Sequence, residues 1–426
     1  MCTHIQTAVF ENGKLHTKFT AKVYDCANAP IRANGKHIMK ICHIITRMIV
    51  GGAQENTLFT CQGHLEKGHD VTLITGPSPG PEGELLKRFC PKGLEVIEIP
   101  DLIRSISPYK DWKAYRTLRR LFREGHYDVV HTHASKAGIL GRAAAWKEKV
   151  PLVVHTVHGQ AFHKYQNRLI NLAYIYAERF AARRCHRIFA VAQSMIEQCV
   201  EASVAPREKY KVVYSGMDTD AFVNAKPDMA LRSQLGIPEN APVVGKIARL
   251  FPLKGHDTLM KAAPKVIASF PDVRFLIIGD GILRQSLEDE ARKLGISGNF
   301  VFTGLISPED VCRYTPLMDV LAHLSLREGL PRSVVQALAS SVPVVAYALD
   351  GTPEVLIDGE TGLIARTEDA DDVADKIVSL LFNPELRRKM GVAGQALVSK
   401  RFSWRTMCDV LEKEYAAGLK QFSSSD

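Results

Sequence analysis

Two basic residues and a glycine pair are the parts of this sequence best suited to bind a phosphorylated ligand. Arg249 and Lys254 lie five positions apart after an apolar run, next to Gly255. Both side chains can donate charge-assisted hydrogen bonds to a diphosphate. Gly51 and Gly52 precede a helical pattern, where small residues let backbone N–H groups approach an anion closely. Taken singly, each feature is also typical of a tight turn or of solvated surface cations.

Residues 327–332 carry a stronger signal. An apolar run ends before them, Gly329 permits a sharp turn, and Pro331 stands where a helix can begin. The free N–H groups at such a helix N-terminus can bind a phosphate or a sugar oxygen. Beside that site, Glu328 would accept hydrogen bonds from hydroxyl groups. Gln336 lies about two helical turns further on, and we interpret it either as a ribose contact or as a buried, satisfied amide.

The elements that must position these residues follow an alternating pattern. Short runs rich in Val and Ile alternate with longer helical patterns, which is typical of βαβ units and a parallel sheet. The predicted strands are residues 38–45, 70–74, 129–131, 152–156, 188–192, 211–214, 243–248, 274–278, 300–303, 320–324 and 343–347. Residues 215–242, which are rich in Gly and Pro, are predicted to form a linker. We therefore predict an α/β protein with two doubly wound domains in tandem.

Glycine and polar residues follow many of these strands, and ligands of open α/β sheets bind beyond the carboxyl ends of the strands. Gly279, Asp280 and Gly281 follow the strand at 274–278, but position 284 is Arg, so the G-x-G-x-x-G fingerprint is incomplete. This argues against an NAD-dependent oxidoreductase. The chain also has no G-x-x-x-x-G-K-[ST] sequence, so a P-loop has no support.

The composition is that of an ordinary globular protein, with 46% hydrophobic and 24% charged residues among 426. No apolar run is long enough for a membrane span, and residues 1–36 lack a signal-peptide core. We expect those 36 residues to form a flexible extension and the protein to be cytoplasmic. The nine cysteines contain no C-x-x-C pair, which is typical of reduced thiols.

Several segments together resemble the signature of family 4 glycosyltransferases with the GT-B fold. The first two matches are Arg327-Glu328-Gly329-Leu330-Pro331 and Asp350-Gly351-Thr352-Pro353-Glu354-Val355. The others, in chain order, are Gly51-Gly52-Ala53, His131-Thr132-His133, His155-Thr156-Val157-His158-Gly159, Arg249…Lys254-Gly255, Ile278-Gly279-Asp280-Gly281 and Asp358-Gly359-Glu360-Thr361-Gly362-Leu363. The resemblance extends from about Lys36 to Phe422, in the family's order.

The resemblance implies two Rossmann-like domains facing each other across a cleft. According to this resemblance, residues 37–217 with a C-terminal helix at 405–422 would bind the acceptor. Residues 218–404 would bind a nucleotide-sugar, and UDP is the default nucleotide. Sugar transfer would retain the anomeric configuration and need neither a metal nor a cofactor. The implied catalytic residues are His158, Arg249, Lys254 and Glu328. The implied donor-binding residues are Gly51, Gly52, Gly279, Asp280, Gly281, Gly329, Leu330, Pro331 and Gln336.

One departure from the family pattern concerns the ribose contact. The family has a second glutamate where this chain has Gln336. A neutral amide still forms hydrogen bonds, but more weakly than a carboxylate, by about 1 kcal/mol. The alternatives are a nucleotide-sugar epimerase of the same architecture and a non-catalytic relative that binds nucleotide or glycan. A nucleic-acid partner is not expected.

The charge distribution bears on the acceptor. The first 220 residues carry 31 basic and 20 acidic side chains, and the remainder carry 24 and 26, so the excess of positive charge lies in the first half. Residues 112–123 and 162–187 are both basic and aromatic. Such segments are typical of helices that lie against an anionic membrane surface, although an ordinary helix packed on the sheet is the alternative. The predicted location is the cytoplasm, where contact with the inner face of the plasma membrane is one option, and the predicted acceptor is a glycan or a lipid-linked molecule.

Overall fold

The computed structural model describes residues 5–6, 22–24, 38–78, 85–163 and 165–422. The chain divides into two compact units: residues 1–217 with 404–426 form unit 1, and residues 218–403 form unit 2. The extension predicted for residues 1–36 lies outside the described residues, except for two short strands. Among the described residues, no helix has the length and the apolar character that crossing a membrane requires.

Unit 1 is built on one twisted sheet with the strand order β1-β2-β5-β4-β3-β6-β7-β8-β9. The seven strands from β5 to β9 in this order pair in parallel, and β2 and β1 add to one edge in antiparallel register. The strands are β1 (Ile5–Gln6), β2 (Lys22–Tyr24), β3 (Lys40–Arg47), β4 (Asp70–Gly76), β5 (Glu95–Glu98), β6 (Val129–His133), β7 (Leu152–Val157), β8 (Arg187–Ala190) and β9 (Tyr210–Val212). The central strands are buried along their length, as a parallel sheet covered by helices requires.

The helices of unit 1 connect these strands as crossovers. They are α1 (Gly52–Glu66), α2 (Leu85–Arg88), α3 (Pro108–Gly125), α4 (Ser135–Lys147), α5 (Arg168–Ala182) and α6 (Gln193–Glu201). Pro108 stands in the first turn of α3, where its missing N–H costs nothing. The buried face of α3 is Ala114, Leu118 and Phe122. Trp112, within the basic and aromatic segment, is 52% exposed.

Unit 2 is a second, wholly parallel sheet with the order β12-β11-β10-β13-β14-β15. Its strands are β10 (Val243–Ile247), β11 (Arg274–Ile278), β12 (Phe300–Gly304), β13 (Val320–His323), β14 (Val344–Tyr347) and β15 (Gly362–Ala365). Its helices are α7 (Thr219–Val223), α8 (Met229–Gln234), α9 (His256–Ser269), α10 (Arg284–Lys293), α11 (Val311–Tyr314), α12 (Arg332–Ala339), α13 (Ala370–Phe382) and α14 (Pro384–Arg401). The predicted class of two Rossmann-like α/β domains is confirmed.

The prediction of a linker at residues 215–242 is wrong in part, because two short helices of unit 2, α7 and α8, lie within it. Asp228 caps α8: its carboxylate accepts a hydrogen bond from the backbone N–H of Leu231. Pro227 and Gly236 therefore mark the two ends of a short helix rather than an irregular connection.

The last helix, α15 (Trp404–Phe422), returns to unit 1, as the family resemblance implies. It packs on α1 and β7 and buries Trp404 and Tyr415 against Met39, Ile41 and other side chains of the sheet. The backbone N–H of Trp404 donates to the carbonyl of Met217 at 3.1 Å. A Cβ on Gly216 would lie 2.4 Å from the Trp404 Cα, so only glycine permits this close approach.

Candidate functional site

The loop between β10 and α9 presents Lys254 on a constrained backbone. Leu253 and Gly255 on either side of it both have left-handed conformations, with φ of 68° and 65°. A non-glycine residue in this region is strained, and such strain occurs often at ligand-binding sites. Gly255 also packs closely, because a Cβ there would lie 2.0 Å from the carbonyl oxygen of Leu324. The loop is therefore held in one shape by the neighbouring strand.

Lys254 forms an ion pair with Glu328, which the sequence analysis had assigned to the same site. The Lys254 Nζ donates to Glu328 Oε1 at 2.6 Å and lies 3.4 Å from the carbonyl oxygen of Arg327. The backbone N–H of Glu328 donates to a carboxylate oxygen of Asp350 at 2.7 Å. Burial alone would raise the pKa of the Glu328 carboxyl, but the charge and hydrogen bond of Lys254 lower it below its usual value. Glu328 is thus a carboxylate, able to accept hydrogen bonds from hydroxyl groups.

Arg249 is exposed, and the glycine segment after β11 supports its loop. A Cβ on Gly279 would lie 2.1 Å from the carbonyl oxygen of Ala248, and one on Gly281 would lie 2.4 Å from that of Leu250. The backbone N–H of Leu250 donates to the carbonyl of Asp280 at 2.9 Å. These two glycines are therefore needed for the close packing of one loop on the other, whatever further role they have toward a ligand.

The segment after β13 leads into α12, which begins at Arg332 with Pro331 as its N-cap residue. Leu330 is buried, and Gln336 is half-buried on the helix. Because β10, β11, β13 and β14 are parallel, the segments that follow these strands all lie at the same edge of the sheet. Unit 2 thus brings together, at one edge, the predicted residues Arg249, Lys254, Gly279, Asp280, Gly281, Glu328, Gly329, Leu330, Pro331 and Gln336.

Two buried titratable side chains on the strands that lead to this site were not among the predicted site residues. Lys246, on β10, is buried, and burial together with the nearby charge of Lys254 lowers its pKa to about 7. His323, at the end of β13, is buried with its Nε2 3.9 Å from Glu328 Oε1, and burial lowers its pKa to about 4. The sequence does carry a sign of both residues, because each is a single charged or polar residue inside an otherwise apolar strand. Such a residue is rarely buried without a functional or structural partner.

The remaining predicted residues lie in unit 1, beyond the carboxyl ends of its parallel strands. Gly51 is the N-cap residue of α1, and Gly52 is its first residue, so the free N–H groups of this helix follow β3 directly. His158 follows β7, two strands away in the sheet. Its Nε2 lies 3.0 Å from Nδ1 of His133, at the end of β6.

His131 and His133, which were matched to the family signature, belong to a larger buried group. His133 Nε2 lies 3.0 Å from His43 Nδ1, and His43 Nε2 lies 3.4 Å from His64 Nδ1. His131 contacts the Tyr415 hydroxyl and lies 2.6 Å from Thr156 Oγ1. The signal in the sequence was the two-residue spacing of His131 and His133, because alternate residues of a strand share one face.

Both units match family models of glycosyltransferases. Residues 50–221 match the model described as Glycosyltransferase Family 4, and residues 228–397 match the model described as Glycosyl transferases group 1. The first range covers residues 50–217 of unit 1 and the first four residues of unit 2, and the second lies within unit 2. Together they contain every predicted site residue named above.

Characterised relatives and solved structures agree with these matches. The chain is 29% identical over 344 residues to the UDP-Gal:alpha-D-GlcNAc-diphosphoundecaprenol alpha-1,3-galactosyltransferase of Escherichia coli, covering 80% of this chain and 87% of that protein. It is 31% identical over 313 residues to the D-inositol 3-phosphate glycosyltransferase of Corynebacterium aurimucosum, covering 70% of this chain and 73% of that protein. The structure of Anabaena HepE in complex with UDP and glucose superposes with a TM-score of 0.75 at 22% identity, over 89% of this chain and all of HepE.

Proposed function

We propose that this chain, which belongs to glycosyltransferase family 4, transfers a hexose from a UDP-sugar to a lipid-linked glycan, with retention of the anomeric configuration. The observation that carries the proposal is the grouping of Arg249, Lys254 and Glu328 at one edge of the unit 2 sheet. A nucleotide-sugar offers a diphosphate beside a polyhydroxylated ring. Two cations and a neighbouring carboxylate are the groups that such a ligand requires.

The chemistry places developing negative charge on the diphosphate. The bond between the anomeric carbon and the diphosphate oxygen breaks, and its electron pair stays on the released UDP. The acceptor hydroxyl oxygen bonds to the anomeric carbon on the same face, and its proton passes to the released phosphate oxygen. In this proposal Arg249 and Lys254 stabilise that charge together with free N–H groups of helix N-termini, so no metal ion is required.

The remaining residues orient the donor. Glu328, held by Lys254 and by Asp350, accepts hydrogen bonds from sugar hydroxyls, and His158 contacts the sugar, as the family resemblance implies. Gln336 hydrogen-bonds the ribose in place of the usual glutamate. The glycines at 51, 52, 279, 281 and 329 let the backbone approach the ligand or shape the loops that do.

The choice of donor and acceptor is supported by the E. coli relative, whose name specifies a UDP-sugar and an undecaprenol-linked acceptor. The test is transfer of radiolabelled hexose from a panel of UDP-sugars to undecaprenyl-diphosphate-linked N-acetylglucosamine and to short soluble glycans. We expect acceptor-dependent product from one UDP-hexose, formed about a hundredfold more slowly by an Arg249→Ala control. Interconversion of the UDP-sugar without acceptor would favour the epimerase, and binding without turnover would favour the non-catalytic alternative.

An acceptor anchored in a membrane requires the enzyme to reach the bilayer surface, and two helices of unit 1 suit this task. On α5, Leu169 and Tyr176 are 76% and 62% exposed, and only Ala181 and Ala182 are buried. On α3, Tyr109 and Trp112 are exposed among basic residues. Apolar and aromatic side chains beside Lys and Arg favour binding to an anionic leaflet. These exposed side chains support the proposal that the enzyme binds peripherally to the inner face of the plasma membrane.

Vesicle co-sedimentation tests this placement. Leu169→Ser with Tyr176→Ser should weaken binding to phosphatidylglycerol vesicles, whereas Phe382→Ser, an equally exposed apolar residue of unit 2, should not. Neutral phosphatidylcholine vesicles should bind the unaltered protein less well, because they offer no net negative charge to attract the basic side chains of the two helices. Equal binding of both variants to anionic vesicles would contradict the assignment of this surface while leaving the transferase activity open to its own assay.

A further inference from the structure

One ring nitrogen of His323 is buried without a partner and faces the carboxylate of Glu328. His323 is the last residue of β13 and is 6% exposed. Its Nδ1 lies 3.1 Å from the hydroxyl oxygen of Ser333, on α12. Its Nε2 has no hydrogen-bond partner among the described residues and lies 3.9 Å from Glu328 Oε1. A buried polar atom without a partner is costly, so its place beside a site residue calls for a physical reason.

The charge of Glu328 determines which nitrogen of His323 carries the proton. Burial lowers the pKa of His323 to about 4, so at neutral pH the ring is uncharged and has one N–H group. Burial raises the pKa of Glu328, but its neighbours, above all Lys254, lower it below its usual value, so the facing group is a carboxylate. A carboxylate only accepts hydrogen bonds and would repel a bare nitrogen lone pair. We therefore expect the proton on Nε2, with the Ser333 hydroxyl donating to Nδ1.

The oxygen that His323 faces is the one that Lys254 already holds. Lys254 Nζ donates to Glu328 Oε1 at 2.6 Å, whereas His323 Nε2 lies about 1 Å beyond hydrogen-bond distance of the same atom. A water molecule does not fit between Nε2 and Oε1, because two hydrogen bonds of about 2.8 Å at a tetrahedral angle span about 4.6 Å. A small movement of either side chain is therefore enough to form a direct hydrogen bond.

The proposed function creates the need for such a second donor. The ammonium group of Lys254 that pairs with Glu328 also stabilises the diphosphate, whose negative charge weakens its hold on the carboxylate. The Ser325 hydroxyl, another neutral donor beside Glu328, is also within 3.5 Å of the carbonyl oxygens of Leu253 and Arg327. It is therefore shared with those carbonyls, whereas the Nε2–H of His323 has no competing acceptor among the described residues.

We propose that His323 is a positioning residue whose Nε2–H holds the Glu328 carboxylate when Lys254 binds the diphosphate of the donor. Glu328 then stays ionised and fixed in place while it accepts hydrogen bonds from the sugar hydroxyls. Ser333 fixes the ring through its other nitrogen. The part played by the diphosphate rests on the proposed function, whereas the hydrogen bond between His323 and a Glu328 that has lost Lys254 does not.

A structural link between β13 and α12 is the competing explanation for His323. In that case the contact with Ser333 is all that the ring supplies, and Nε2 has no effect on Glu328. Two substitutions separate the two nitrogens. His323→Asn places an amide near the former Nδ1, so it can keep the Ser333 contact but lacks a donor toward Glu328. His323→Gln places an amide near the former Nε2, so it can keep the donor toward Glu328 but lacks the Ser333 contact.

The first test needs no ligand, because Lys254→Ala removes the ion-pair partner of Glu328 in the free protein. The measurement is ¹H–¹⁵N NMR of the full chain labelled at histidine, with the His323 signal assigned by its loss in His323→Asn. We expect Nε2 of His323 to carry a proton in the natural chain. Its proton signal should move downfield in Lys254→Ala, as the hydrogen bond to Glu328 forms. A bare Nε2, or the same proton signal in both proteins, would overturn the proposal.

Thermal unfolding of the same variants gives a second readout without a ligand. His323→Asn combined with Lys254→Ala should lower the midpoint by ~2 °C or more beyond the sum of the two single changes, because Glu328 then loses both donors. His323→Gln combined with Lys254→Ala should be close to additive, since the donor toward Glu328 is kept. Additive losses with His323→Asn as well would show that His323 serves only the structural link.

Added UDP tests the connection with the nucleotide-sugar. UDP should move the His323 proton signal of the natural chain in the same direction as Lys254→Ala does, because its diphosphate competes with Glu328 for Lys254. Bound UDP with an unchanged His323 signal would contradict the proposal. Failure of UDP to bind, measured by its effect on the unfolding midpoint, would count against the proposed function and leave the two ligand-free tests standing.

The kinetics of the two His323 variants complete the test. His323→Asn should lower kcat about tenfold, as for one lost hydrogen bond to a charged group, and His323→Gln much less. In His323→Asn the acidic limb of the pH profile should move to higher pH for kcat, which reports the donor complex, but not for kcat/KM, which reports the free enzyme. Equal kcat values and equal pH profiles in the two variants would refute the positioning role.

Other charged groups do not confuse this comparison of pH profiles. The remaining charged side chains around Glu328 are Lys246, Arg327 and Asp350, and they are the same in both variants. A difference between His323→Asn and His323→Gln therefore reports the hydrogen-bond donor at the former Nε2.

Discussion

Replacing Lys254 by alanine should reduce activity and stability together, because this lysine both faces the proposed diphosphate site and neutralises Glu328. The two side chains are 28% and 22% exposed, so water screens the pair only in part. Leaving the carboxylate without its partner should cost about 1–3 kcal/mol. For a unit of this size, about 2–4 °C are lost for each kcal/mol, so we expect the unfolding midpoint to fall by roughly 2–12 °C. The loss of one stabilising donor should lower kcat about a hundredfold.

Two matched variants separate these effects. Arg249 is exposed, so Arg249→Ala should lower kcat by a similar factor while changing stability by less than about 0.5 kcal/mol. The double variant Lys254→Met with Glu328→Gln removes both charges and should recover most of the lost stability, because no unpaired charge remains. It should not recover activity.

The assays are steady-state kinetics with the UDP-sugar identified in the donor panel and thermal unfolding followed by circular dichroism. A Lys254→Ala variant with near-wild-type kcat and an unchanged midpoint would refute the reasoning for the whole site. A double variant as active as the natural chain would show that turnover needs neither the Lys254 cation nor the Glu328 carboxylate, which contradicts the roles proposed for both.

Three further changes have expected outcomes. Gly255→Ala should lower both stability and kcat, since φ is 65° and the Cβ would lie 2.0 Å from a carbonyl oxygen, whereas Gly298→Ala, with no atom within 4 Å, should be neutral in the same assays. The free energy of unfolding should fall as the pH drops from about 6.5 toward 4, because His43 and His323 bind protons more readily in the unfolded chain, each costing up to about 1.4 kcal/mol per pH unit; pH-independent urea unfolding would contradict this. Truncation after residue 403 removes a helix of the unit 1 core and should abolish cooperative unfolding of that unit, and a wild-type unfolding curve would show that the helix is dispensable.

Much of the fold was predictable because parallel strands buried on both faces leave continuous apolar runs in the sequence. Each of the eleven predicted strands overlaps an observed one, with ends that coincide or differ by one or two residues. Strand β5 (Glu95–Glu98) was missed because glutamates flank its two apolar residues. Strand β15 (Gly362–Ala365) was missed because it has only four residues and begins with glycine, so its apolar pattern is too short to indicate a strand.

The candidate site was predictable only where its residues are neighbours in sequence. Glu328 and Pro331 belong to one contiguous motif, and Arg249 and Lys254 to another, so a strand followed by polar residues was a sufficient signal. The buried histidine group was not predictable, because its members lie on β3, α1 and β6 and after β7. Their hydrogen bonds depend on the packing of a crossover helix on the sheet, which no local pattern encodes.

The return of α15 to unit 1 has a consequence for the order in which the two units fold during synthesis. Unit 2 is a continuous segment inserted between Met217 and Trp404, whereas unit 1 is split around it. At about 5–20 residues per second, synthesis of the 186 residues from 218 to 403 takes roughly 10–40 s. During that interval the sheet side chains that Trp404 and Tyr415 later cover remain open to water. Unit 2 can therefore complete its own core before the sheet of unit 1 receives its last helix, and the exposed apolar side chains of that sheet favour aggregation until then.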